Sequence, residues 1–320
     1  MPDSYDSAQL VAIDWGTTNA RSFLLAGSAS GPVVLDQRTG QGILAVPTDV
    51  ADRDDRFEAI LDGLVGPWLD AHPGLPMITC GMVGAAQGWR PAPYRTLPTP
   101  LASGTGLTTV QTARGPLPII AGVKKSRPNA DVMRGEETQL AGLAGELDPG
   151  ETALVVMPGT HTKWALLRDD TLLDFDTAMS GELYSLLVDH SMVGRVAEPP
   201  VAGKDWRAGF EWGLRLAVER RALAFQAFVI RSSVLDGQLP PGQVPDAISG
   251  LLIGAEVADR VAAIGPDLQP VRLVGGAALV ERYAHALAAQ DVRASAAAAD
   301  VTIRGLWRSA IGAGLVPGSS

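Results

Sequence analysis

The 320-residue chain is poor in several features that whole classes of protein require. Its one cysteine, Cys80, cannot form an intrachain disulfide or a cysteine-based zinc site, and its four histidines show no ligand spacing. We therefore expect a reducing compartment. Aromatic residues are only 5% and charged residues 19%, whereas hydrophobic residues are 46%, which excludes the composition of disordered chains. Length and composition together predict a compact protein of about two domains.

Positive charge is scarce as well. The chain has 26 Lys and Arg against 35 Asp and Glu, a net charge of −9, and no long basic run, which argues against a general nucleic-acid binder. No apolar run approaches the length of a bilayer span, and residues 1–9 lack the basic and apolar parts of a signal peptide. The sequence thus predicts a cytoplasmic protein without a membrane or nucleic-acid partner.

The common phosphate-binding motifs are also absent. There is no Gly-x-x-x-x-Gly-Lys-[Ser/Thr] loop, and Gly104-Thr105-Gly106 lacks the third glycine and the preceding strand of a dinucleotide fingerprint. Two other glycine turns are present, each between short apolar runs that predict strands: Leu10–Ile13 and Ala20–Leu25, then Thr152–Val156 and Trp164–Leu167. Their short side chains and backbone N–H groups suit phosphate.

These two hairpins suggest an internal repeat. Gly-Thr occurs at 16–17 and again at 159–160, an offset of 159 − 16 = 143 residues, about half the chain. A third glycine turn, Gly275-Gly276-Ala277, follows the predicted strand Val271–Val274 and precedes a predicted helix. Two glycines allow a ribose or flat ring to approach, and a helix N-terminus favours phosphate. A further pattern predicts one long helix over Phe210–Leu235, with its apolar stripe in the core.

Two such hairpins and a late strand-Gly-Gly-helix turn resemble the layout of the sugar kinase, hsp70 and actin superfamily. Several blocks are similar more specifically to the 2-dehydro-3-deoxygalactonokinase family. These blocks are residues 13–21 (IDWGTTNAR), 81–84 (GMVG), 87–89 (QGW), 131–139 (DVMRGEETQ), 158–164 (PGTHTKW), 180–183 (SGEL) and 249–254 (SGLLIG). The resemblance extends from about residue 10 to the end.

The resemblance implies an α/β chain with the two-domain actin-like ATPase (ribonuclease H-like) fold and ATP in the interdomain cleft. Residues 1–148 would form a domain with the sugar-acid site, and residues 149–320 a domain with the adenosine site. The implied reaction is ATP-dependent phosphorylation of 2-dehydro-3-deoxy-D-galactonate at its 6-hydroxyl. A kinase for another 2-keto-3-deoxy acid such as the gluconate epimer, a phosphatase of the same fold, a non-catalytic ATP or sugar-acid binding protein, and a homodimer all stay open.

Phosphoryl transfer requires metal, phosphate donors and a base. Asp14 is the candidate to organise Mg²⁺ through water molecules, as that ion prefers. The candidates for ATP are three turns: Gly16, Thr17, Thr18 and Asn19; Gly159, Thr160, His161, Thr162 and Lys163 over the β- and γ-phosphates; and Gly275, Gly276 and Ala277. Pro158 stands near where related folds often carry a second acidic residue.

The resemblance places the general base at the start of a helix. Glu136 is the first candidate, Glu137 the second and Asp131 a distant third. Neighbours on a helix point about 100° apart, so only one glutamate can face the substrate. The candidates for the sugar acid are Arg21, Gly81, Met82, Trp89 and Arg134, with Lys124, Lys125 and Arg127 as further cations. Whether Ser180-Gly181-Glu182 binds substrate or sets a turn is open.

Overall fold

The computed structural model describes residues 6–28, 30–198, 205–219, 222–262 and 270–318. The chain forms two compact units. Unit 1 takes Met1–Thr152, Leu166–Phe175 and Ala298–Ser320, and unit 2 takes Ala153–Ala165 and Asp176–Ala297. The C-terminal segment thus packs with the N-terminal half of the chain, which a single division at residue 148 does not provide for.

The secondary structure alternates short strands with helices. The first half contains β1 Leu10–Trp15, β2 Asn19–Ser28, β3 Gly31–Gln41, α1 Arg53–Ala71, β4 Met77–Gly81, β5 Tyr94–Thr96, β6 Thr99–Pro100, β7 Thr108–Thr112, β8 Gly115–Ile119, β9 Gly122–Lys125, β10 Asp131–Met133 and α2 Glu136–Ala144. The second half contains β11 Thr152–Met157, β12 Thr162–Arg168, β13 Thr171–Ala178, α3 Ser180–His190, α4 Arg207–Val218, α5 Leu223–Leu235, α6 Val244–Val261, β14 Val271–Leu273, α7 Ala277–Ala288, β15 Ala294–Ala296 and α8 Val301–Gly312.

Unit 1 is built on a sheet with the strand order β3-β2-β1-β4-β8-β7. β1 pairs antiparallel with β2 and parallel with β4, and β4 pairs parallel with β8. β1 is almost entirely apolar because it lies inside this sheet and is covered on both faces. The carboxyl ends of β1 and β4 therefore lie side by side.

Alternate residues of β1 enter two different cores, as the two-residue period of a strand requires. Val11, Ile13 and Trp15 pack in a cluster that contains the apolar face of α1. Leu10 and Ala12 pack on the other face, in a cluster that contains Leu306, Trp307 and Ala310 of α8. Helices on both faces fix the sheet and with it the strand ends that carry polar residues.

A second sheet has the order β15-β14-β11-β12-β13-β6, and its strands β14 and β15 lie entirely in unit 2. β11 pairs parallel with β14, and β14 parallel with β15. The first sheet has the same arrangement. In each sheet, three strands that are consecutive in sequence, β1–β3 or β11–β13, lie beside two further strands. Those two strands, β4 and β8 or β14 and β15, run parallel to the first of the three. This shared order confirms the α/β class and the two similar halves, each opening with a hairpin.

Small residues let pairs of helices approach to backbone contact. In unit 1, a Cβ on Gly142 of α2 would lie 1.9 Å from the Val301 carbonyl oxygen of α8. In unit 2, a Cβ on Gly213 of α4 would lie 2.1 Å from the Ala247 carbonyl oxygen of α6. No side chain larger than hydrogen fits at either crossing.

The single long helix predicted over Phe210–Leu235 is wrong. The structure has two helices there, α4 and α5, separated by residues 219–222, of which 220 and 221 lie outside the described residues. Phe225 and Phe228 of α5 are 63% and 59% exposed, so the stripe does not continue into the core. Among the helices of the described residues, none combines the length and apolar composition that a bilayer crossing requires.

Candidate active site

The first hairpin turn is held by backbone bonds that leave its side chains outside. The Gly16 amide donates to the Asn19 carbonyl at 2.9 Å and closes the turn. The turn's own carbonyls accept from the following segment, with Gly42 donating to Thr18 at 2.9 Å. The side chains of Thr17, Thr18 and Asn19 are exposed, and Gly16 is half-exposed. This geometry presents hydroxyl and amide groups to a ligand while the backbone stays fixed.

Asp14 stands at the carboxyl end of β1, directly opposite Cys80 of β4. Its Oδ2 accepts from the Arg21 guanidinium at 2.6 Å, across the β1–β2 hairpin. Its Oδ1 lies 3.9 Å from the Cys80 Sγ. The Asp14 side chain is 22% exposed and that of Arg21 is 53% exposed, so the pair lies at the surface.

Two glycines lie close together in space, Gly81 at the end of β4 and Gly135 just before α2. Gly81 has φ +92°, and a Cβ there would lie 2.8 Å from the Trp15 carbonyl oxygen and 3.6 Å from Asp14 Oδ1. Gly135 has φ +105°, and a Cβ there would lie 3.5 Å from the Gly81 Cα. These conformations are ones that glycine adopts without strain. Because the two glycines touch, the structure brings Asp14 and the first turn of α2 into one cluster.

The two glutamates at this helix start have different surroundings. Glu137 is 1% exposed, and its Oε2 accepts from the Gly135 amide at 2.6 Å and its Oε1 from Thr138 Oγ1 at 3.2 Å. Burial, with the nearby Glu136 charge, raises the pKa of Glu137 to about 7. Glu136 is half-exposed, and its Oε2 accepts from the Arg134 amide at 3.0 Å.

Cys80 lies beside both acidic positions. Burial raises the pKa of its thiol well above the usual value, and the charges of Asp14 and Glu137 raise it further. A thiol in this environment stays protonated and is a poor nucleophile. Cys80 therefore serves here as a small buried residue between two carboxylates.

Two arginines line the same part of unit 1. Arg134 stacks over the Tyr94 ring at 4.4 Å and donates through Nη2 to the Ala92 carbonyl at 2.7 Å, while its Nε and Nη1 have no partner among the described residues. Arg95 donates through Nη1 to the Pro100 carbonyl at 2.7 Å, and its Nε and Nη2 are likewise without a described partner. Burial lowers the pKa of Arg95, and the charge of Glu137 opposes that shift. Sequence reasoning missed Arg95, which no motif marks.

Trp89 requires a correction. We expected its ring to offer a flat face to the sugar acid, but the ring is only 2% exposed. It stacks on Phe57 at 5.4 Å, meets Trp15 edge-on at 6.0 Å, and donates through Nε1 to Asp54. Both faces are therefore occupied by the core, and no face is free for a substrate. Met82, next to Gly81, is partly buried against the same cluster.

The second hairpin turn, in unit 2, divides into an outer and an inner part. Thr160 and His161 are exposed and Gly159 is half-exposed. Thr162 and Lys163 are buried instead: Thr162 Oγ1 bonds to Tyr283 OH at 2.8 Å, and Lys163 Nζ donates to Thr177 Oγ1 at 3.0 Å. The outer part can contact a ligand directly, whereas the inner side chains anchor the turn.

The start of α3 supports this turn. The Glu182 amide donates to the Thr160 carbonyl at 2.9 Å, and the Glu182 carboxylate lies 2.6 Å from His161 Nε2. A Cβ on Gly181 would come within 2.2 Å of the Gly159 carbonyl oxygen. The block Ser180-Gly181-Glu182, whose role the sequence left open, therefore packs directly on the second Gly-Thr turn.

A pocket of about 230 Å³ opens beside this turn within unit 2. Its lining comes from the second turn, α3, α6 and α7: Gly159, Ser180, Gly181, Tyr184, Ser249, Leu252, Ile253, Leu279, Arg282 and Tyr283. Gly275 lies close to Pro158, with 3.3 Å between its Cβ position and the Pro158 carbonyl oxygen, and Gly276 precedes α7. The third glycine turn thus leads into a helix that forms one wall of the pocket.

A carboxylate that the sequence did not single out lies behind the pocket wall. Glu256 of α6 accepts from Trp164 Nε1 at 2.5 Å, from Tyr283 OH at 2.9 Å and from Ser180 Oγ. Burial raises its pKa, and these three donors oppose the shift. Its partners are 92, 27 and 76 residues away in sequence, so no local pattern could have identified the cluster.

The chemistry of the donor set limits what metal site is feasible. Over the part of the chain that the structure describes, no three His, Cys, Asp or Glu side chains gather as metal ligands. Mg²⁺ is commonly held by one or two carboxylates, substrate phosphates and water, so a single partly exposed Asp14 fits that ion when phosphates complete the shell. A closed, all-protein metal site does not fit.

Known proteins with similar sequences cover nearly the whole chain. It is 36% identical over 314 residues to the 2-dehydro-3-deoxygalactonokinase of Escherichia coli (strain K12), covering 95% of this chain and 97% of that protein. It is 36% identical over 299 residues to a probable 2-dehydro-3-deoxygalactonokinase of Rhizobium meliloti (strain 1021), covering 92% and 93%.

A solved structure is similar as well. It is a crystal structure of a Sinorhizobium meliloti protein described as a candidate 2-dehydro-3-deoxygalactonokinase, with a TM-score of 0.80, 31% identity and coverage of 97% and 98%. Residues 14–309 match the sequence model of 2-keto-3-deoxy-galactonokinase, a range that includes both hairpin turns and the glutamates of α2. The chain is therefore a kinase and belongs to the 2-keto-3-deoxy-galactonokinase family.

Proposed function

We propose that this kinase transfers the γ-phosphoryl group of ATP to the 6-hydroxyl of 2-dehydro-3-deoxy-D-galactonate. The observation that carries the proposal is the carboxylate cluster of unit 1, where Asp14 and the first turn of α2 both lie next to Gly81, and where the charges of Asp14 and Glu137 both act on Cys80. Phosphoryl transfer requires charge neutralisation at the phosphates and a base at the acceptor hydroxyl, and this cluster offers groups for both. The name of the relatives supports the choice of substrate.

Glu136 is the proposed base. It is half-exposed, whereas Glu137 is buried and its two oxygens accept from the Gly135 amide and the Thr138 hydroxyl. In the transfer, the substrate O6 forms a bond to the γ-phosphorus as the bond from phosphorus to the β,γ-bridging oxygen breaks. The O6 proton passes to the Glu136 carboxylate, and ADP leaves.

Asp14 is the proposed anchor for Mg²⁺, which would neutralise phosphate charge when it is bound. Its Oδ2 pairs with Arg21. Arg21 is the proposed contact for a phosphate or the substrate carboxylate. The exposed side chains of Thr17, Thr18 and Asn19 would donate to the phosphates beside it.

The nucleotide would use unit 2. Gly159, Thr160 and His161 would contact the phosphates, with Thr162 and Lys163 holding the turn from inside. The pocket behind it offers apolar walls from Leu252, Ile253 and Leu279 and a few polar groups, the usual make-up of a site for a flat base and a sugar. Gly275, Gly276 and Ala277 would border the adenosine where α7 begins.

The sugar acid would bind in unit 1. Arg134 is the proposed partner of its carboxylate, because two of its guanidinium nitrogens are without a described partner and its backbone amide donates to the Glu136 carboxylate. Gly81 and Met82 would border the carbon chain. Trp89 is left out of this group because its ring is buried in the core.

The test is ADP release from Mg-ATP, measured side by side with 2-dehydro-3-deoxy-D-galactonate, its gluconate epimer, free hexoses and no acceptor. We expect ADP mainly with the galactonate. Release mainly with the epimer would move the substrate to that acid while keeping the reaction. Release without any acceptor, or none at all, would contradict the proposal and favour a phosphatase or a binding protein.

A further inference from the structure

The Glu256 carboxylate joins four elements of unit 2 through hydrogen bonds. Glu256 is on α6, and its donors are Trp164 on β12, Ser180 at the start of α3 and Tyr283 on α7. Trp164 uses one carboxylate oxygen, and the two hydroxyls share the other. Donors from three separate elements on one carboxylate fix the relative positions of those elements, since each bond is directional.

Two of these donors belong to the wall of the pocket beside the second turn. Ser180 and Tyr283 line it, whereas Glu256 and Trp164 do not. Tyr283 also bonds to Thr162, the first residue of β12 after the turn. Gly181, which follows Ser180, packs against the Gly159 carbonyl. The Glu256 network therefore reaches both the pocket wall and the turn that borders it.

We propose that Glu256 is a positioning residue for the nucleotide: through Ser180 and Tyr283 it holds the pocket wall and the Gly159–Thr162 turn in the shape that binds ADP and ATP. The inference rests on the proposed function, since it takes this pocket as the nucleotide site. Glu256 acts without touching the ligand. Replacing its carboxylate leaves a set of three donors, two hydroxyls and an indole N–H, with no common acceptor.

The test is the dissociation constant of ADP, measured by titration calorimetry on the full chain without sugar acid. Glu256→Gln keeps the side-chain volume and removes one of the two acceptor oxygens. Asp259→Asn is the matched control: it makes the same carboxylate-to-amide change on the same helix, at a side chain that is 78% exposed and outside the pocket lining. We expect at least a fivefold weaker ADP affinity for Glu256→Gln and less than a twofold change for Asp259→Asn.

A purely structural role would give a different result. Glu256→Gln would then lower the melting temperature but leave ADP affinity equal to that of Asp259→Asn, and this overturns the proposal. We also expect the KM for ATP to rise in Glu256→Gln while the KM for the sugar acid stays within twofold. Equal increases of both KM values likewise overturn it.

Thr162→Val serves if Glu256→Gln fails to fold, because it is nearly isosteric and removes only the second partner of Tyr283. We expect it to weaken ADP binding at least twofold, and unchanged affinity contradicts the network's role.

The titration of the wild-type chain distinguishes failure of the proposed nucleotide pocket from failure of the proposed role of Glu256. Wild-type chain that does not bind ADP overturns the nucleotide pocket and this inference together, whereas tight wild-type binding with an unaffected Glu256→Gln overturns this inference alone.

Discussion

At the scale of single residues, the two adjacent glutamates of α2 are separated by burial. Glu136 is half-exposed, and Glu137 has its oxygens engaged by its own helix start. We expect Glu136→Gln to lower kcat by about 10²-fold or more with a nearly normal KM for ATP, because the general base is lost. Glu137→Gln, the matched control, should lose less than about tenfold. Steady-state kinetics measure the kcat of both variants. A larger loss of kcat in Glu137→Gln than in Glu136→Gln would assign the base to Glu137.

The raised pKa of Glu137 predicts that the stability of the fold depends on pH. Its folded pKa of about 7 lies above the reference value of 4.5, so the folded state binds more protons than the unfolded state between those pH values. The free energy of unfolding therefore falls as pH rises from 4.5 through 7, by at most about 3 kcal/mol from this group. Urea unfolding at pH 5, 6, 7 and 8 should show a smaller decrease in the free energy of unfolding for Glu137→Gln than for the wild type. The same decrease in both proteins would refute this prediction.

Local motifs predicted the position of a residue in its element where the motif and its surroundings lie close together in the chain. Asp14 near the end of a strand and Glu136 at the start of a helix were predicted in this way, and their roles stay predictions. Trp89 failed because residue type alone does not tell which ring is enclosed, and Phe57 and Trp15, which cover it, come from other parts of the chain. Arg95 and Glu256 were missed for the same reason: their contacts exist only after the fold brings distant segments together.

At the scale of secondary-structure elements, the crossing of α2 and α8 depends on glycine. A methyl group on Gly142 would lie 1.9 Å from the Val301 carbonyl oxygen, so Gly142→Ala should destabilise by about 1–3 kcal/mol. Gly63 of α1 is the control, since a Cβ there meets nothing within 4 Å. Gly63→Ala should stabilise by about 0.5–1 kcal/mol, because alanine has the higher helix propensity. Thermal denaturation followed by circular dichroism measures both, and equal shifts would contradict the crossing.

Strands and helices were predictable where the local sequence also contains the residues that end them. Both Gly-Thr hairpins lie where the alternation of apolar strands and small-residue turns placed them. The stretch from Phe210 to Leu235 lacks proline and internal glycine pairs, so its apolar spacing reads as one helix. The structure instead ends α4 at Val218, and α5 leaves Phe225 and Phe228 exposed, which local spacing cannot reveal.

At the scale of the whole molecule, the two units share a strand order but differ in the chemistry at their turns. The carboxylates of the proposed reaction belong to unit 1, whereas the apolar pocket belongs to unit 2. We expect ADP alone to stabilise the wild-type chain and Asp14→Asn equally, by about 2.7 kcal/mol at a concentration 100 times Kd. Added Mg²⁺ should increase the shift only in the wild type. Thermal shift assays measure it, and an equal magnesium effect in Asp14→Asn would exclude Asp14 as the anchor.

The aromatic cluster of unit 1 has an optical consequence. Trp15 is fully buried, adjoins Asp14 in sequence and meets Trp89 at a centroid distance of 6.0 Å. Its backbone carbonyl faces Gly81, so a movement of the β4 end alters the surroundings of the indole. The chain therefore carries a fluorophore next to its carboxylate cluster. The tryptophan emission of the wild-type chain therefore contains a contribution from this cluster, and it can follow ligand binding in real time and without a label.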